Sequence, residues 1–151
     1  MVIGYGNPLR RDDGLGLRAA EILEARGIDT LRCHQLTPEL AAGIAKTEIV
    51  VFLDAAADLE PGEIRCAQVS EEVTGSWTHH LTPGQLLHLT AGIFASAPKA
   101  LLITGGPFAM DFGDCLTAGG EQCARRMAEA ALLALSGQLQ PGGVQTLGHH
   151  A

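Results

Sequence analysis

The run Glu48-Ile49-Val50-Val51-Phe52-Leu53-Asp54 places five consecutive apolar residues directly before a carboxylate. Uninterrupted apolar sequence of this kind, rich in β-branched residues, belongs to a strand buried on both faces, and therefore to a parallel sheet covered by helices on either side. The flanking sequence repeats the theme. Upstream, Met1-Val2-Ile3-Gly4-Tyr5-Gly6 reads as a short buried strand ending in glycines, and Leu15, Ala19, Ile22 and Leu23 recur at helical spacing until Gly27 provides a stop. Thr30 to His34 is a second strand, and Thr37-Pro38-Glu39 opens a helix with Thr as cap and Pro in the first turn. Downstream, Gly62 to Val69 alternates as an edge or near-edge strand would. A polar loop through Gly75 and Trp77 leads to His79-His80, and a helix starts near Thr82-Pro83. Ala100 to Thr104 forms the last strand, and an Ala-rich helix runs from about Thr117 to Leu135.

Strands alternating with helices throughout predict an α/β fold: a single-domain three-layer sandwich around a mainly parallel, doubly wound, five-stranded sheet. No internal repeat or linker divides the chain, so residues 1–137 form the expected domain. Residues 138–151, with Pro141-Gly142-Gly143, read as a disordered tail.

Composition narrows the function. The 151 residues suffice for one core, and 46% apolar but only 4% aromatic residues mean a core of Ala, Val, Ile and Leu. A formal net charge of −7, with Lys46 and Lys99 as the only lysines, argues against nucleic acid, whose phosphates demand clustered cations. No stretch approaches the roughly 20 apolar residues of a membrane helix, and the N-terminus has no basic region and apolar run of a signal peptide. Cys33, Cys66, Cys115 and Cys123 have neither C-x-x-C nor zinc-ribbon spacing and read as small hydrophobes in a reducing cytoplasm. Cys115 and Cys123 are both expected to pack around the last helix, where Cys123, Met127 and Ala131 share one face.

In an open α/β sheet, ligands bind beyond the carboxyl ends of the strands, where strand order reverses. With strand order 2-1-3-4-5, that crevice lies between strands 1 and 3. Asp54 ends strand 3, Asp13 follows strand 1, and His79 follows strand 4 toward the same rim. Two carboxylates and an imidazole suit a divalent transition metal and leave coordination positions open. Each residue also has a plain structural use. Asp12 or Asp13 suits a helix cap, Asp54 a hydrogen bond to the next turn, and His79 a solvated loop. Other motifs fail in detail: Gly4-Tyr5-Gly6 has Leu9 where a dinucleotide fingerprint needs its third glycine, Ala45 precedes Lys46-Thr47 where a P-loop needs Gly, and no G-x-S-x-G is present.

The segment Gly4-Tyr5-Gly6-Asn7-Pro8-Leu9-Arg10-Arg11-Asp12-Asp13-Gly14-Leu15-Gly16 closely resembles the N-terminal signature of the nickel-iron hydrogenase maturation proteases, a G-x-G-N followed by D-[DE]-G-x-G. Val50-Val51-Phe52-Leu53-Asp54-Ala55 is similar to the family's apolar strand ending in Asp. Thr78-His79-His80-Leu81-Thr82-Pro83 is similar to its histidine segment, and Gln35 to Leu40 to the segment after strand 2. The resemblance runs to about Leu135 and implies a phosphorylase/hydrolase-like sandwich. It also implies an endopeptidase that removes a C-terminal extension from a hydrogenase large-subunit precursor after nickel insertion; with the cytoplasmic reading of the cysteines, a monomer is expected. Asp13, where many relatives carry Glu, Asp54 and His79 would act on the nickel that the precursor supplies, with His80 the alternative to His79. Two competing readings use the same crevice. One is a non-catalytic module for a small ligand or metal, favoured if activity survives loss of both Asp13 and Asp54. The other is a self-sufficient metallohydrolase, which would hold its own zinc at rest.

Overall fold

The computed structural model describes residues 1–73 and 80–141. Five strands, β1 (Val2–Tyr5), β2 (Thr30–Cys33), β3 (Ile49–Ala55), β4 (Ile64–Gln68) and β5 (Lys99–Gly105), form one sheet in the order β2-β1-β3-β5-β4. The first four in that order are parallel, and β4 runs antiparallel along β5. The α/β fold, the single mainly parallel five-stranded sheet and the edge position of β4 match the expectation. The order of the last two strands does not. The connection from β3 to β4, residues 56–63, is shorter than the roughly dozen residues a parallel crossover requires. β4 therefore turns back antiparallel, and β5 fills the place beside β3. The reversal between β1 and β3 is untouched.

Each sheet face buries its own core. On one side α1 (Leu15–Ala25) and α4 (Ala118–Leu135) cover Val51, Leu53, Leu101 and Ile103 through Leu15, Leu23, Ala124 and Met127. On the other side α2 (Ala41–Ile44) and α3 (Pro83–Phe94) cover Ile3, Val50 and Phe52 through Ile44, Leu86 and Leu87. Alternate residues of β3 thus belong to opposite cores, which explains why its apolar run is unbroken. Gly16 lets α1 seat on the strand ends: a side chain there would run into the Leu53 and Tyr5 carbonyls.

Local signals fared unevenly. Thr82 makes a full capping box with Gln85, as its Thr-Pro start suggests. Thr37 does not cap with its side chain, and Pro38 starts only a 3₁₀ turn (Pro38–Leu40) before the single turn of α2. Cys123, Met127 and Ala131 are buried together, but Cys115 is exposed, because it lies in the loop before α4 rather than on the helix. Its thiol is pushed up by the neighbouring Asp114 carboxylate, 3.4 Å away. Of the expected tail, Leu139 is buried against the α1–α4 core, and residues 142–151 lie outside the described part. Among the described residues no helix is long and apolar enough to cross a membrane.

Candidate active site

The glycine-rich motif leaves β1 and enters a 3₁₀ turn, Arg11–Gly14, that packs against β3. Asp13 lies in that turn, half-buried, and its Oδ2 accepts the Asn7 N–H at 3.0 Å. Asn7 Oδ1 in turn accepts the Leu9 N–H at 2.9 Å, so the asparagine of the motif folds the loop back on itself. Asp54 lies at the carboxyl end of β3, one position beyond the Gly4–Leu53 register pair and thus level with Tyr5. Its Oδ1 accepts the Ala55 N–H at 2.7 Å, the strand-end hydrogen bond that its plain structural use foresaw.

The electrostatics join the two acids. Burial pushes the Asp54 carboxyl up to about 6. The Ala55 N–H and the Tyr5 hydroxyl pull it back, and the charge of Asp13 raises it further. Burial likewise drives the Tyr5 phenol far above its ordinary value, with the Asp54 carboxylate adding to the effect. Asp13 and Asp54, 41 positions apart in the chain, are therefore within electrostatic reach at the β1–β3 switch point. A cleft of about 530 Å³ extends from Tyr5 and Asp54 past Leu102 and Val69 to the start of α3 at Thr82. Thr82 Oγ1 donates to Glu72 at 2.8 Å and so fastens that rim. His79 lies outside the described residues, and His80 is exposed. Among the described residues no three His, Cys, Asp or Glu side chains gather as a metal site.

Two residues of the site were missed from sequence. Tyr5 reads there only as strand, although the alternation that puts Ile3 in the α2–α3 core puts Tyr5 on the same face as Asp54. Asp12 caps nothing on α1. It is fully buried, and its carboxylate accepts the N–H groups of Phe108 (2.8 Å), Ala109 (3.3 Å) and Thr117 (2.9 Å) and the Thr117 hydroxyl (2.8 Å). Thr117 Oγ1 then caps α4 through the Gly120 N–H. Asp12 thus locks the β5–α4 loop to the turn that carries Asp13. Its donors lie about a hundred positions away, beyond any local pattern.

Solved structures share this arrangement of chain. The hydrogenase maturating endopeptidase HybD from E. coli is 25% identical, with a TM-score of 0.72 over 90% of this chain and 92% of that one. The [NiFe] hydrogenase maturation protease HybD from Thermococcus kodakarensis is 23% identical, with a TM-score of 0.73 over 88% and 96%. HycI, a [NiFe] hydrogenase maturation protease from Thermococcus kodakarensis KOD1, is 24% identical, with a TM-score of 0.70 over 89% and 90%. No family model matches the chain, and no curated protein sequence does. The fold and the N-terminal motif agree on a class, the endopeptidases. Within it, the solved structures to which this chain is similar are hydrogenase maturation proteases.

Proposed function

We propose that this protein removes the C-terminal extension of a nickel-iron hydrogenase large-subunit precursor after nickel has been inserted. The precursor's nickel is the recognition element, and Asp13, Asp54 and His79 are the residues that meet it. The observation that carries this reading is the pairing of Asp13 with Asp54 at the β1–β3 switch point, within a fold shared with hydrogenase maturating endopeptidases. Two carboxylate oxygens and an imidazole nitrogen are suitable donors for nickel, yet form an incomplete set by themselves. A metal already held by the precursor completes the arrangement, so loaded and empty precursors differ in affinity. Bound beside the scissile peptide, such a metal would be able to polarise its carbonyl and acidify water, or would serve as a checkpoint alone. This chain's part is to hold the two carboxylates in register and to offer the adjoining cleft to the chain that carries the bond.

Intact-mass spectrometry of the precursor, mixed with the protein with and without nickel, tests the proposal. Loss of a short C-terminal peptide only from the loaded precursor is expected, abolished by Asp13→Ala and by His79→Ala but retained in His80→Ala. Cleavage regardless of nickel would point to a self-sufficient hydrolase. No cleavage of a loaded precursor that cell extract does cleave would reject the peptidase reading.

A further inference from the structure

Thr104 is the register partner of Asp54 on the neighbouring strand β5. Residues 50 and 52 of β3, and 100 of β5, face the α2–α3 core, so by alternation Asp54 and Thr104 stand side by side on that same face. On the other flank of Thr104 is its β4 partner Arg65, whose guanidinium is already held by Asp58 at 2.8 and 3.2 Å. Thr104 is 4% exposed, and among the described residues its Oγ1 is the buried side-chain oxygen or nitrogen without a hydrogen-bond partner.

A buried hydroxyl without a partner has lost its hydration and gained nothing in return, and more than nine in ten buried polar groups avoid that state. Valine has nearly the same shape, fits a buried strand at least as well and carries no such cost. The hydroxyl therefore does nothing for the free fold. The nearest group that can use it is the Asp54 carboxylate. At rest that carboxylate is engaged by the Ala55 N–H and the Tyr5 hydroxyl. When one of its oxygens turns to a cation, the other needs a donor to keep the carboxylate oriented, since ligating carboxylates are themselves held by hydrogen bonds.

We infer that Thr104 is a positioning residue of the peptidase site, its hydroxyl donating to the Asp54 carboxylate in the complex with substrate. The inference rests on the peptidase reading above. No proton changes ownership, because the hydroxyl serves as a donor throughout.

The test compares wild type, Thr104→Val and Thr104→Ser for cleavage of nickel-loaded precursor and for thermal unfolding. Thr104→Val is expected to melt no lower than wild type. Its kcat should fall about 10–100-fold, the usual range for losing such a supporting hydrogen bond, while KM stays nearly unchanged. Thr104→Ser, which keeps the hydroxyl, is expected to restore most of kcat. Unchanged kcat in Thr104→Val overturns the inference and leaves the peptidase reading standing. A lower melting temperature in Thr104→Val also overturns it, since the hydroxyl would then be bonded in the free fold. Failure of wild type to cleave rejects the peptidase reading, and the inference falls with it.

Discussion

Asp54 ends a strand that is buried on both faces, and its carboxyl titrates near 6 rather than near 4 because burial disfavours the charge. The fold therefore binds this proton more tightly than the unfolded chain does. Its stabilising contribution is fully present below about pH 4 and is lost as pH rises through about 6. At pH 7 the buried charge is a liability, and Asp54→Asn is expected to stabilise the protein there by roughly 1–3 kcal/mol. Urea unfolding of both proteins between pH 4 and 8 measures this. The gap should close toward pH 4, and a gap that does not change with pH would rule burial out as its cause. On the proposed function the same substitution removes an oxygen that would meet the precursor's nickel, so cleavage should be lost as stability rises. In wild type, cleavage should climb through about pH 6 and level off, since a ligating carboxylate must be ionised.

The turn that carries Asp13 is tied to α4 through Asp12, and α4 begins with Ala118-Gly119-Gly120, a poor helix start by propensity. Packing explains Gly120: a side chain there would run into the Asp12 carboxylate. Propensity alone favours Gly120→Ala by up to about 1 kcal/mol, whereas crowding a fully buried, fully bonded carboxylate costs about 1–3 kcal/mol. The expected net result is a melting temperature lowered by a few degrees, read by circular dichroism, whereas in an Asp12→Ala background, itself less stable, Gly120→Ala should cause no further loss. A higher melting temperature in Gly120→Ala would mean that Asp12 has room to move.

Taken as a whole, the molecule has a cleft with Asp54 at its head, Glu72 on its far rim and, among the described residues, no lysine or arginine in its lining, on a chain of net charge −7. On the proposed function, such a site would bind nickel weakly alone and strongly only when the precursor brings further ligands. Purified protein is expected to elute from gel filtration in nickel-containing buffer without stoichiometric metal, and to retain it only together with precursor, as read by elemental mass spectrometry. Stoichiometric nickel on the protein alone would contradict the proposal that the precursor's nickel is the recognition element.

Layer order and strand identity were legible in the sequence because they follow from periodicity. The unbroken run of β3, the helical spacing from Leu15 and the Thr-Pro start of α3 are each local, and each led to the right element. The placement of Asp13 and Asp54 at the β1–β3 switch point was legible as well, since each lies at or beyond the carboxyl end of a strand. What lay beyond reach depends on partners distant in the chain. The antiparallel return of β4 follows from a connection too short to cross over, the role of Asp12 from donors about a hundred residues away, and the lone hydroxyl of Thr104 from its register against Asp54. A residue's period specifies the face it presents, but only the assembled sheet specifies what stands opposite, and hydrogen bonds and pKa values are set by what stands opposite.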